Sequence, residues 1–455
     1  MHTDKDRARP GYRRDLGDGL VLRWSSGADA DDIIYLASMV FRDGPDAPPN
    51  APLAALLREV MRGLFPPTGA GDVAVVEDTR RREHRLVCCT CLWRLTWDYE
   101  GIPFAVGRPE IVATDAEYRK RGLARAVFEP VHARSEAEGH LAQGITGIPY
   151  FYRQFGYEYA LDLDVRRLAY FALIPQAPEG TPEPINLREA TTADIPLIQA
   201  LYDQNRAHYA VSTNMPDRWW RYLVELQGHA GVEGASNIQI IADQQREPCG
   251  YVIMPATRGP HSLPVFDIAA TRGVNWQEMM PPLLRALRAH AAQVAAPPNA
   301  GPVERIAFKM GVKHPAYEVL GKELAIEPEI PYAWYVRVPD LPRFLRHIAP
   351  ALERRLASSP LAGYNGSLKL NFYRDGLQLT FEKGRLTSIA PWQAPLWGEE
   401  GAASFPPLLF LQLLFGRRSL EELQYAYPDV RVENAVELLV KTLFPASPSW
   451  VLPMG

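Results

Sequence analysis

The chain has 455 residues, 47% of them hydrophobic and 22% charged, which is apolar surface for several cores and a soft expectation of about three domains. A formal net charge of −4 gives no global basic field to hold nucleic acid, and no polybasic run points to an anionic membrane. No run approaches ~18 apolar residues and Met1–Pro10 lacks an apolar leader core, so a soluble, cytoplasmic protein is expected.

The first strand is expected at Leu20–Trp24, after a flexible lead over residues 1–17. A turn-rich stretch follows it, then a helical pattern carried by Ile33, Ile34, Leu36, Ala37 and Val40. Three strands follow, over 73–77, 86–99 and 104–114, with Asp98-Tyr99-Glu100-Gly101 as the turn between the last two. Cys88, Cys89 and Cys91 sit inside the middle strand, where alternate side chains face opposite ways, and read as small core residues rather than a disulfide or a metal set. Residues 123–138 then read as an amphipathic helix kinked at Pro130 and closed by Gly139, and a strand is expected over 140–146.

A Pro-rich stretch, Ile174–Pro184, marks a boundary. Beyond it, Leu187-Arg188 followed by Asp194-Ile195 echoes Leu22-Arg23 followed by Asp32-Ile33, a sign of internal duplication. The second copy holds strands near 238–242 and 250–255 and a helix over 281–294. Its loop Ala269–Trp276 has Arg272 and Gly273 but not the phosphate-loop spacing. Pro339 and Pro342 lead into a last unit: a helix over 344–357 broken at Pro350, strands over 366–372 and 377–381 joined by a turn at Asp375-Gly376, and apolar helices over 405–415 and 432–443 with a short acidic helix between. The stripe Leu408–Leu414 reads as packing, or as the lining of a lipid-sized cavity. The histidines have no metal-ligand spacing, so no metal is expected.

The chemistry concentrates in Glu110–Arg125. An apolar strand ends in a short loop, Arg119-Lys120-Arg121-Gly122-Leu123-Ala124, that opens onto a helix. Three cations, the helix dipole and the free N–H groups of the first turn converge on one point that suits a pyrophosphate. Gly122 lets backbone approach the phosphates and Ala124 keeps the next turn clear. Such a loop alone is compatible with a solvated face beside a helix start. The strand before it, the helix after it and a second motif, Phe151-Tyr152-Arg-Gln-Phe155-Gly156-Tyr157, favour the anion site.

With these two motifs the chain resembles the GNAT superfamily of N-acetyltransferases, and its layout is similar to the enhanced-intracellular-survival type. That resemblance implies an α/β (α+β) fold: two tandem GNAT-like mixed-sheet domains, catalytic over 18–172 and degenerate over 185–339, then a sterol-carrier-protein-like α+β domain over 340–455. It implies acetyl-CoA as cosubstrate, with Val112 and Thr114 offering strand backbone to the pantetheine arm and Arg119, Lys120, Arg121, Gly122, Leu123, Ala124 and Arg125 around the pyrophosphate. Tyr152 matches the tyrosine that protonates the departing thiolate. In that branch the terminal carboxylate acts as base, here on Gly455 where the family often ends on an aromatic residue. Glu110 is the other base candidate, and is equally readable as a strand-end carboxylate paired with an Arg. Asp43 could attract a cationic amine, although a loop acid is commonly a turn former. The acceptor implied is a primary amine of a small polycationic molecule or a lysine, and the assembly a homo-oligomer up to a hexamer. A longer acyl donor, and a lipid carrier with an inactive first unit, are the competing readings.

Overall fold

The computed structural model describes residues 4–163, 165–227, 229, 231–326, 332–394 and 402–452. In chain order the first part holds α1 (Asp4–Arg7), β1 (Arg13–Gly17), β2 (Leu20–Trp24), α2 (Ala30–Val40), α3 (Ala51–Met61), β3 (Val73–Asp78), β4 (Leu86–Tyr99), β5 (Ile102–Thr114), α4 (Leu123–Ala137), β6 (Ala142–Ile145), β7 (Glu158–Leu163) and β8 (Arg167–Tyr170). The second holds β9 (Ile185–Glu189), α5 (Ile195–Arg206), β10 (Val211–Asn214), α6 (Asp217–Glu225), β11 (Ser236–Asp243), β12 (Pro248–Pro255), β13 (Ser262–Val265), β14 (Asp267–Ala270), α7 (Trp276–Ala291), β15 (Arg305–Phe308), α8 (Pro315–Leu324) and β16 (Tyr332–Arg337). The third holds α9 (Leu341–His347), α10 (Ala349–Ala357), β17 (Gly366–Asn371), β18 (Gly376–Glu382), β19 (Arg385–Pro391), β20 (Ala402–Ser404), α11 (Phe410–Leu414), α12 (Leu420–Ala426), β21 (Arg431–Val432), α13 (Asn434–Leu443) and β22 (Ser449–Trp450). The class is the mixed α/β architecture expected.

The main sheet runs β1-β2-β3-β4-β5-β6-β16-β7. β4 is long enough to take two neighbours on one edge: β3 along Leu86–Cys91, and β10, backed by β22, along Thr96–Tyr99. Four-stranded β14-β12-β11-β9 and three-stranded β13-β15-β8 sheets form the middle of the chain, and β19-β18-β17-β20-β21 the last part. The units exchange strands. β8 leaves the first part to pair with β15, while β16 returns between β6 and β7 of the main sheet. The boundaries expected near 172 and 339 therefore run beside two crossings of the chain, which lock the units together.

Several elements differ from the sequence expectation. The lead over 1–17 is not a loose tail where it is described, because α1 and β1 form and β1 pairs with β2. α3 was absent from the expectation; Asn50 caps it by accepting from Leu53 N–H at 3.0 Å, with Pro52 in its first turn. The helix over 344–357 is two helices that meet at Ile348, as Pro350 demands. The β17–β18 turn lies over 372–375, with Tyr373 rather than Gly376 at positive φ. The helix expected from 405 is ordered as α-helix only over Phe410–Leu414, whose side chains are buried in one core with Leu368, Leu370 and Phe381. The stripe is packing.

The internal echo is structural but one turn out of step. Arg23 holds Asp29 in a two-pronged pair at 2.6 and 2.9 Å, and Arg188 holds Asp194 likewise at 2.7 and 2.8 Å. At both places the acid also closes a capping box, with Ser26 or Thr191, just before the helix. Asp29, and not Asp32, is the counterpart of Asp194.

Candidate active site

At the start of α4 the backbone alternates in handedness. Lys120 (φ 62°) and Gly122 (φ 77°) are left-handed, Arg119 (φ −63°) is not, and successive N–H groups in such alternation face a common concavity. Gly122 is the N-cap residue and carries no side chain to satisfy the first turn, so the amides of α4 are left for a ligand. A Cβ at Gly122 would meet nothing within 4 Å, so the approach is open. Arg119, Lys120, Arg121 and Arg125 are exposed around it, with the Arg121 guanidinium 5.1 Å from the Tyr118 ring and that of Arg125 5.0 Å from the Phe155 ring. A cleft of about 320 Å³ separates this turn from the β1–β2 hairpin, bordered by Arg121, Gly122, Leu123 and Arg125. Ala124 is half-buried on the same turn.

The strand that feeds this loop splits from its neighbour. β5 and β6 pair in parallel only at Val106–Ala142 and Gly107–Gln143. From Arg108 to Thr114, β5 keeps β4 on one edge and has no strand on the other among the described residues. The register slips between Cys89 and Cys91, and Ile111 takes φ 54° in the bulge. Val112 consequently packs among Phe128, Ile145, Tyr152 and Tyr335, while Thr114 Oγ1 sits 3.3 Å from the Cys88 thiol. Ahead of the bulge, buried Arg108 is wedged between the Trp93 and Trp334 rings, 5.1 and 4.7 Å from their centres, and ion-paired with Glu110. Glu110 also accepts from the Ile111 N–H at 3.2 Å. Paired in this way, Glu110 is held at the opening rather than turned to solvent.

Tyr152 stands across that opening, in a short 3-10 turn over Tyr152–Phe155. Its ring is buried and packs edge-on against Tyr335 at 5.4 Å and Phe151 at 5.1 Å. A Cβ on Gly147 would lie 3.6 Å from the Tyr152 hydroxyl, so the Gly147 backbone backs the phenol. Two tyrosines of the returning strand fix that backbone: Tyr332 donates to the Gly147 carbonyl at 3.0 Å and Tyr335 to that of Ile148 at 3.3 Å. Burial, reinforced by the charge of Glu110, pushes the Tyr152 phenol well above its ordinary range, so it stays protonated at neutral pH. The thiols of Cys88 and Cys91 are each pushed up to about 12 by burial and are no nucleophiles.

A cavity of about 850 Å³ opens beside β6, walled by Thr146, Leu163, Phe65 and Trp219, with Glu233 and Lys309 the charged side chains on it among the described residues. The C-terminal segment reaches it as Leu452, held by a Leu452 N–H bond to Thr213 Oγ1 at 3.0 Å and by Trp334, which donates to the Val451 carbonyl at 3.2 Å. Gly455 lies outside the described residues. Asp43 is exposed in the turn after α2 and does not line this cavity. The structure thus gathers the loop 119–125, Val112, Thr114, Glu110 and Tyr152, and leaves Asp43 apart. It adds Phe65, Trp219, Tyr222 and Glu233. These are scattered over some 170 residues of sequence, and only the Trp219-Trp220 pair stood out there, as packing.

The strand-to-helix turn expected as the counterpart loop in the middle of the chain is capped by a side chain. β14 turns at Gly273 (φ 94°) into α7, whose cap Asn275 accepts from Gln277 N–H at 3.0 Å. A side chain does there what Gly122 leaves undone.

No helix among the described residues is long and apolar enough to cross a membrane, and no group of three metal-ligating side chains occurs among them.

Residues 22–160 match the acetyltransferase (GNAT) domain family. No curated protein matches the sequence. Among solved structures, a conserved Enterococcus faecalis protein, a probable N-acyltransferase, superposes with a TM-score of 0.65 at 15% identity, over 96% of this chain and 99% of that one. A GCN5-related N-acetyltransferase from Anabaena variabilis gives 0.62 at 14% identity over 95% and 99%. Eis1 of Mycobacterium abscessus gives 0.57 at 14% identity over 94% and 98%. At such identities these neighbours speak to the fold alone. The chain therefore carries a GNAT acetyltransferase domain over residues 22–160 and is an enzyme of the acyltransferase class.

Proposed function

We propose that this enzyme transfers acetyl from acetyl-CoA directly to a primary amine, with the chemistry in unit 18–172, a degenerate partner unit over 185–339 and a non-catalytic unit over 340–455. The observation that carries this reading is the uncapped, left-handed turn at Gly122 beside a strand, β5, that among the described residues pairs with β6 only at Val106 and Gly107. The amides of 121–124 and the cations of 119–125 hold the pyrophosphate, and the backbone around Val112 and Thr114 accepts the pantetheine arm as a further strand would.

The amine nitrogen attacks the thioester carbonyl carbon, the carbon–sulfur bond breaks, and the leaving sulfur takes its proton from the Tyr152 hydroxyl. Because burial keeps the phenol neutral, the Tyr152 hydroxyl holds a proton when the thiolate leaves. The proton lost by the amine goes to Glu110 or to the carboxylate of Gly455, in either case through water. Direct attack is favoured because the three cysteines nearest the site are buried thiols. Self-association up to a hexamer follows from the family resemblance and is read by sedimentation.

Calorimetric binding of CoA together with thiol release from acetyl-CoA in the presence of amines tests the reading. Release that needs an amine supports it, and an absence of CoA binding removes it. Extending the chain beyond Gly455 discriminates the bases: loss of turnover assigns the tail, and unchanged turnover assigns Glu110.

A further inference from the structure

The cavity beside β6 is built from distant parts of the chain, and its lining is one-sided in character. Phe65, Trp219 and Tyr222 stand edge to face around one wall, with ring centres 5.5 Å (Phe65–Trp219), 5.5 Å (Phe65–Tyr222) and 6.2 Å (Trp219–Tyr222) apart. Most of the remaining lining is aliphatic, Gly or Pro, and at about 850 Å³ the space suits a drug-sized molecule. Among the described residues one carboxylate stands on it, that of Glu233. Among the described residues Glu233 has no ion-pair partner; its backbone N–H donates to the Pro52 carbonyl at 3.1 Å, which fixes the residue against the start of α3. Although accessible, its carboxyl is raised above the ordinary range by the surrounding protein and, second, by the charge of Glu110. A carboxylate with no ion-pair partner among the described residues, in a cavity that three aromatic rings also line, fits an ammonium.

We infer that the acceptor is a lipophilic amine with a single cationic nitrogen, placed with that nitrogen toward Glu233 and its apolar body against Phe65, Trp219 and Tyr222. The inference rests on the acetyltransferase reading and narrows it. Among the described residues lining this space one carboxylate, that of Glu233, can meet an ammonium, so a body carrying further cationic nitrogens is disfavoured against one with an apolar body. The cavity reaches Thr146, next to the Gly147 backbone that backs the Tyr152 hydroxyl, so an amine seated here lies beside the point of transfer.

The test compares initial rates of thiol release at saturating acetyl-CoA with n-octylamine, 2-phenylethylamine, spermidine and kanamycin. The two lipophilic amines are expected to exceed spermidine and kanamycin in kcat/KM by about tenfold or more. Glu233→Gln should raise KM for octylamine by about 10- to 100-fold, the worth of a charge-assisted contact, and leave CoA affinity unchanged. Trp219→Leu should raise KM for phenylethylamine more than for spermidine, and serves as a second readout. Preference for spermidine or kanamycin, an unchanged KM in Glu233→Gln, or CoA binding without release on either lipophilic amine overturns this inference while leaving the transferase reading in place. Failure to bind CoA at all overturns the transferase reading instead.

Discussion

Lys120 and Gly122 are both left-handed, and the residue between them is not, so the chain enters α4 through a concave turn that points its amides outward. An L side chain at Gly122 would have to hold φ 77° at a cost of about 1–2 kcal/mol, and its Cβ would occupy the approach to the turn. Gly122→Ala is therefore expected to weaken CoA about tenfold or more while lowering stability by only about 1 kcal/mol. Calorimetry and a denaturant titration of the same variant check both halves.

Tyr152→Phe keeps the ring contacts to Phe151 and Tyr335 and removes the hydroxyl alone. Turnover should fall by about 10²- to 10⁴-fold with CoA affinity retained. A turnover equal to that of the parent would take Tyr152 out of the mechanism.

Gly144 lies under Trp97, whose ring is fully buried and packs edge-on against Phe104 and Trp334. A Cβ there would stand 2.5 Å from the Trp97 ring, so the ring or the strand must shift. Gly144→Ala is expected to cost about 1–3 kcal/mol by overpacking, seen as a lower denaturant midpoint. It should also disturb acetyl transfer, because β6 forms one side of the opening at β5.

His132 is buried beside the Tyr157 hydroxyl, 2.8 Å away, and burial holds its pKa well below the ordinary value. In this case the unfolded chain binds the proton first. Stability is complete above about pH 6.5 and falls as the pH drops below it, by up to about 1.4 kcal/mol per pH unit for this one group. His140, also depressed by burial, adds the same sign. Unfolding free energies at pH 7.5, 6.5 and 5.5 should show this slope, and His132→Gln should flatten it by one proton.

Much of the site was legible because its signals are local. The β4–β5 hairpin, the end of β5 and the loop into α4 follow from alternation, from Gly101 and Gly122 and from one run of cations, all inside about 40 residues. What the sequence hid depends on contacts made far along the chain. β16 enters the main sheet from beyond residue 330 and brings Tyr332 and Tyr335 to the loop behind Tyr152, and nothing in 332–337 distinguishes that destination from a strand of its own unit. Likewise Glu233 and Phe65 meet across one cavity with no periodicity to announce them. The pairing of Arg23 with Asp29 was missed for a smaller reason: both Asp29 and Asp32 stand near the helix start, and only the capping box with Ser26 selects the first.

The most direct test of the central claim is a calorimetric titration of the purified full chain with CoA, alongside Arg119→Ala and Arg121→Ala. We predict saturable one-to-one binding that weakens with rising salt and drops severalfold in each variant. Absence of binding, or binding indifferent to both arginines and to salt, would contradict the assignment of an anion site at the start of α4.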